Sequence, residues 1–236
     1  MSDVAELSPI ERKRYETLRE ALRPFKQLIE GQHVLDFGAA YGLSAVVLIE
    51  HGASYVWGVE PDAERVEKGT RWMRQLGLSA RVKLSYVDDT RKLDAPDCSF
   101  GFIVANAVFE HIPQPRTEYI RELWRLLAPG GTFLINETPN KYLPVDFHTL
   151  HLPLTNWLPS ALSHRIGTLL GRFDRARDDW VSSGWRGLGY YELVGAIPDQ
   201  YVVEHETTRT RHKVLRALGL PSALIDPYPV YRLMKP

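Results

Sequence analysis

The sequence predicts an α/β fold, and three observations predict it. Short apolar runs at Val34 to Phe37, Tyr55 to Val59, Val82 to Tyr86, Phe102 to Ala105 and Thr132 to Ile135 have the length and content of buried strands. Helical patterns separate several of them, from Leu43 onward and again through Arg71-Trp72-Met73. At 236 residues the chain is long enough for one α/β domain with a decorated surface and need not be two. We therefore expect a single domain over 1–236, with an N-terminal helix at 8–30 and a helical insert at about 141–186 after the fifth strand.

Composition narrows the partners. Formal net charge is zero, with 29 basic and 29 acidic residues, so there is no global electrostatic footprint for nucleic acid or anionic lipid. A small-molecule substrate fits better. The single cysteine, Cys98, excludes an internal disulfide and a cysteine-rich metal cage and agrees with a reducing, cytoplasmic address. Acid stands where a signal peptide needs a basic and then an apolar region, and no run approaches the roughly 18 apolar residues of a membrane span, so any membrane contact is expected to be peripheral. Oligomeric state is not legible.

In chain order, Ser8-Pro9-Ile10-Glu11 reads as a capping box with proline at the first helical position, opening a helix through Tyr15, Leu18, Leu22 and Phe25 that Pro24 is placed to kink or end. The chain then centres on Val34 to Gly42, V-L-D-F-G-A-A-Y-G, a strand running into a glycine-bearing turn and a helix. A dinucleotide fingerprint needs G-x-G-x-x-G, and from Gly38 the second and third glycines would fall at Ala40 and Leu43. Both are missing. Glu60 ends the second strand 22 positions beyond Gly38, where a carboxylate can accept the hydroxyls of a ribose.

What the turn resembles is motif I, D-x-G-x-G-x-G, of the class I S-adenosylmethionine (SAM)-dependent methyltransferases, read here as Asp36, Gly38, Ala40 and Gly42, with alanine in place of the middle glycine. Asp88-Asp89-Thr90, Leu93 and D-A-P-D-C-S-F resemble a later pattern of that family, with Gly101 where it usually has Asp. Leu-Leu-Ala-Pro-Gly-Gly before the fifth strand is similar to its motif III. The resemblance covers Val34 to roughly Asn140 and implies a Rossmann-like seven-stranded sheet with helices on both faces and an antiparallel last strand. It also implies SAM as cofactor, held by Asp36, Gly38, Ala40, Gly42, Glu60, Pro61, Asp89, Thr90 and Asn106, with Asp89 toward the adenine amino group.

Beyond Asn140 the family text thins, and the insert holds half of the six tryptophans. Leu158, Leu162, Ile166, Leu169, Leu170 and Phe173 follow helical spacing, expected as core or lid packing, a dimer contact or a membrane-surface helix. Gly187 to Ile197 and Arg211 to Leu218 read as helices, Tyr201 to Glu206 and Pro229 to Met234 as the last two strands. The implied activity is methyl transfer to an oxygen of a small molecule such as a sugar, a glycolipid intermediate or a phenol. An alcohol or phenol must lose a proton, to a base or beside a metal. His148, His151 and His111 are the catalytic candidates, Asp146 is expected to orient His148 or join a metal, and a divalent metal is not favoured, though any metal would fall to Glu110, His111 and His148. The alternatives are nitrogen methylation, metal-dependent methylation of an RNA 2'-hydroxyl, for which Glu110-His111 matches part of an E-x-x-E-H motif with Ala107 at its first Glu, and a non-catalytic scaffold.

Overall fold

Seven strands hydrogen-bond in one sheet in the order β3-β2-β1-β4-β5-β7-β6. They are β1 (His33–Phe37), β2 (Tyr55–Glu60), β3 (Val82–Tyr86), β4 (Phe100–Asn106), β5 (Leu127–Asn136), β6 (Tyr201–Glu204) and β7 (Tyr231–Met234). In this computed structural model residues 7–172, 186–197, 201–204 and 210–236 are described. β1 pairs in parallel with both β2 and β4, and β2 with β3. Because the order runs one way from β1 to β3 and the other way from β4, right-handed crossovers put helices on both faces. Gly130 N–H donates to Lys235 O at 2.9 Å and Lys235 N–H returns a bond to Gly131 O at 3.2 Å, the reciprocal pairing of antiparallel chains. The last strand is antiparallel, as expected.

Two compact units divide the chain. The first comprises Met1–Ala105, Glu122–Phe133 and Met234–Pro236. Its helix α1 (Pro9–Leu22) begins with the reciprocal capping box: Ser8 Oγ accepts Glu11 N–H and Glu11 Oε2 accepts Ser8 N–H. A 3₁₀ turn, Arg23–Phe25, interrupts the expected 8–30 helix at Pro24 before α2 (Lys26–Ile29). Helix α3 (Leu43–Glu50) has no polar face to offer solvent, and its Ala45, Val47 and Leu48 are fully buried. Asp62 caps α4 (Ala63–Gln75) by accepting the N–H groups of Glu64 and Arg65. α5 (Thr117–Leu126) runs directly into β5, which starts at Leu127, earlier than the Thr132 expected. Its Glu122 and Arg125 fasten the 93–97 loop, with Leu93 N–H on Glu122 Oε1 at 2.6 Å and Arg125 Nη1 on Ala95 O at 3.0 Å.

The second unit comprises Asn106–Arg121 and Leu134–Leu233. Its helices are α6 (Ser160–Leu169), α7 (Tyr190–Ala196) and α8 (Thr210–Ala217). Of the expected helical insert only α6 is helical among the described residues, while Phe173 and 173–185 lie outside them, as does Glu206 of the expected sixth strand. The apolar spacing of α6 faces the wrong way for a core: Ser163 is fully buried, and Leu162, Leu169 and Leu170 are exposed. Irregular backbone is the reason. Its carbonyls need donors, so Ser163 Oγ turns in to Thr155 O at 2.7 Å and Asn156 Nδ2 bonds Leu143 O and Val145 O. Among the described residues no helix is long and apolar enough to cross a membrane.

Candidate active site

In the first unit, β1 delivers its chain into a turn with three left-handed residues, Gly38, Ala40 and Gly42 (φ 78°, 46° and 84°). Gly38 and Ala39 N–H groups both reach Val59 O, at 2.9 and 3.1 Å, which ties the turn to the end of β2. At Ala40 the methyl group that replaces glycine holds a conformation L-residues adopt at a cost. Ala40 N–H is caught by Glu60 Oε2 at 2.9 Å. Two glycines that the sequence reading passed over make room beneath. A Cβ on Gly58 would meet Ala39 Cβ at 2.7 Å, and one on Gly69 would meet Tyr41 O at 2.7 Å. Only a close backbone approach explains them, and the positions are too far apart in sequence to announce it.

Asp36 and Glu60 are both buried at this turn. Asp36 accepts from Ser44 in the first turn of α3, so its carboxyl couples strand to helix. Burial pushes its pKa up to about 7, against the Ser44 bond, with Glu60 adding to the rise. Burial also raises the pKa of Glu60, opposed by the Ala40 N–H and by Arg65, whose Nη1 stands 3.9 Å from Glu60 Oε1. Pro61 follows on the surface. Asp89 and Thr90 lie on the loop after β3; the Asp89 carboxylate takes a two-pronged bond from Arg91 at 2.8 Å to each oxygen, and that bond lowers its pKa to about 2.

In the second unit, β4 ends at Asn106, whose Oδ1 accepts from Asn136 Nδ2 at 3.4 Å and whose own Nδ2 is buried without a hydrogen-bond partner. Ala107 follows in left-handed backbone, tied to Asn136 O at 2.9 Å. The 3₁₀ turn Phe109–His111 then carries Glu110 and His111. Glu110 is 1% exposed; Thr138 Oγ1 donates to its Oε2 at 3.1 Å, and its Oε1 has no hydrogen-bond partner. Burial lifts its pKa to about 7 over the opposing bonds from its own backbone N–H and from Thr138 and the charge of Arg116. His148 arrives from the loop after β5. Ligating atoms of Glu110, His111 and His148 all lie within 4.8 Å of one another, and the two imidazoles meet edge to face, centroids 6.0 Å apart. The three residues from two loops named from sequence thus converge.

One expectation needs correcting, and one candidate lies apart from the others. Asp146 neither orients the His148 ring nor joins the cluster: its buried carboxylate accepts the backbone N–H groups of His148, Thr149 and Leu150, fixing the loop that presents His148. His151 is exposed, in left-handed backbone, and outside the cluster. Two further residues were not foreseen. Arg116, 1% exposed, donates to Ile112 O, Gly187 O and Arg186 O and pairs with Glu192 at 3.4 Å, binding the Glu110 loop to the start of α7. Tyr228 donates to Phe147 O at 3.0 Å, beside His148 in sequence, and burial with the charges of Asp146 and Glu110 raises its pKa. Apart from Ile112 O, their partners lie some 70 to 80 residues away in sequence, beyond any local pattern.

A family model described as a methyltransferase domain matches residues 10–177. The chain belongs to the methyltransferase domain family. This methyltransferase-domain chain is 34% identical over 109 residues to the sterol 24-C-methyltransferase erg6 of Aspergillus fumigatus, covering 46% of the chain and 28% of the relative. It is 32% identical over 146 residues to the protein-L-isoaspartate O-methyltransferase of Gloeobacter violaceus, covering 56% and 67%. The chain thus spans less than a third of the length of the sterol relative. Among solved structures, the YcgJ protein of Bacillus subtilis aligns over 93% of this chain and 98% of its own with a TM-score of 0.62 at 16% identity, a likeness of fold. The expected class I fold is thereby borne out.

Proposed function

We propose that this chain transfers the methyl group of SAM to a hydroxyl oxygen of a small molecule, of the sugar, glycolipid or phenol kind. SAM, when bound, supplies a methyl group made electrophilic by its sulfonium. The turn fits such a ligand. Gly38 and Gly42 carry no side chain to keep a ligand from the backbone, and Glu60 keeps lone pairs beyond the one that Ala40 uses. Asp89 likewise has acceptor capacity left beyond Arg91.

The observation that carries the oxygen reading is the convergence of Glu110, His111 and His148 in the second unit. Methyl transfer to a hydroxyl forms an oxygen–carbon bond, breaks the carbon–sulfur bond with its pair going to sulfur, and releases the hydroxyl proton. That proton is lost at this cluster, while Asp146 holds the His148 loop in place. An amine would need less help with its proton, and RNA would call for a basic surface that a net charge of zero does not give. The relatives' names differ in the receiving atom, carbon for the sterol enzyme and oxygen for the isoaspartate enzyme, so similarity of the shared half does not choose it.

Incubation with methyl-labelled SAM and a panel of sugars, glycolipids, phenols, amines and sterols tests the proposal. Label in an oxygen ether of a small acceptor is the expected result. Label only in amine or carbon products overturns the oxygen reading.

A further inference from the structure

We propose that Glu110, His111 and His148 bind one divalent transition-metal cation. Two independent observations meet there. Three side chains of metal-ligating type bring their donor atoms within 4.8 Å of one another. One of them, Glu110, is almost wholly buried yet leaves Oε1 with no hydrogen-bond partner, which is unfavourable unless something covers the oxygen. A cation covers it. Ligands about 2.0–2.2 Å from a tetrahedral ion stand roughly 3.5 Å apart, so ring and carboxylate rotations of about 1 Å close the set.

The surroundings support the ligands as well as supplying them. Thr138 Oγ1 holds the other Glu110 oxygen at 3.1 Å, the kind of outer hydrogen bond that fixes a ligating carboxylate. Asp146 fixes the backbone of His148 at 2.9 Å, and Arg116 braces the loop that carries Glu110 and His111 through Ile112 O at 2.9 Å. The rings meet edge to face at 80° rather than stacked, with His148 Nδ1 3.4 Å from Thr149 Oγ1.

Donor chemistry selects the ion. Two imidazoles with one carboxylate suit zinc, cobalt, iron or manganese, whereas magnesium and calcium prefer all-oxygen sets. Three protein ligands leave open coordination positions, where an acceptor hydroxyl would be held and made more acidic. That role rests on the oxygen-methylation reading; binding of the cation does not.

The test is titration of the chelator-stripped full chain with Co²⁺, followed by its visible ligand-field absorption. One equivalent should bind, excess Mg²⁺ should not displace it, and Glu110→Gln and His148→Ala should each weaken it at least ~10- to 100-fold while SAM binding by calorimetry stays intact. On the parent protein, Co²⁺ should perturb the imidazole proton signals of His111 and His148 and spare those of His33 and His51. No stoichiometric binding, displacement by Mg²⁺, or equal affinity in folded His148→Ala overturns the proposal, as does perturbation of the other histidines instead. Absence of cobalt binding by the parent, with oxygen methylation retained by the stripped protein, overturns the metal site alone. Cobalt binding at the cluster with label only in amine or carbon products upholds the site and removes the oxygen reading.

Discussion

The glycine turn of the first unit and the insert of the second are built by opposite means. At the turn, backbone does the positioning: left-handed residues, N–H groups on Val59 O, and small residues that let Tyr41 and Ala39 approach their neighbours. In the insert, side chains replace the regular backbone ladder, with Asp146, Asn156 and Ser163 each satisfying main-chain groups, and Arg116 doing so at its far end. The first kind of structure is written in residue type and short spacing. The second depends on where each polar side chain turns, and apolar periodicity then points the wrong way, as α6 does by burying Ser163 and exposing Leu169.

The largest effect should come from cutting the insert's product, the histidine cluster. His148→Ala is expected to lower methyl transfer by about 100- to 10,000-fold, measured with labelled donor once an acceptor is in hand, whereas His151→Ala, outside the cluster, should change it little. Comparable losses in both would mean that the cluster is not where the acceptor is activated.

Next in size is a pH effect confined to the turn. Asp36 has a reference pKa of 3.8 and is pushed up to about 7 when buried, so between those values the folded state holds a proton that the unfolded state has lost. Its favourable contribution is complete below pH 3.8 and falls away as pH rises to about 7. At about 1.4 kcal/mol per pH unit, roughly 2–3 kcal/mol of stability should be lost between pH 5 and pH 7. Asp36→Asn, with Glu60 left as the neighbouring carboxylate, should flatten that slope in urea melts of the ligand-free protein. An unchanged slope would contradict the burial argument.

Legibility followed the same division. The capping box at Ser8 and Glu11, the Val34 to Gly42 turn and seven strands were readable because each depends on neighbours within a few residues. Glu110, His111 and His148 were readable as a set because loops after adjacent strands of such sheets open at one end. Asp146 was misread because its position two before His148 says nothing of which way its carboxylate turns. Arg116, Tyr228, Gly58 and Gly69 act on partners distant in sequence, and no local pattern marks them.

Smaller changes sharpen the contrast. Ala40→Gly should raise stability by about 1 kcal/mol, because φ of 46° costs alanine what glycine is spared; a loss of stability in thermal melts would mean that the methyl group packs usefully. Leu169→Ser, at 77% exposure, should stay within about 0.5 kcal/mol of the parent. A loss of about 2–5 kcal/mol, the size expected of a core leucine, would show α6 packed as its spacing suggested.

Calorimetric titration of SAM into the parent, Glu60→Ala and His148→Ala proteins tests most directly whether donor binding belongs to the turn and acceptor activation to the cluster. Removing the Glu60 carboxylate should weaken SAM by about 30- to 150-fold, equivalent to roughly 2–3 kcal/mol, and removing His148 should leave its affinity unchanged. Equal affinity in folded Glu60→Ala, or an equal loss in both variants, would contradict that division.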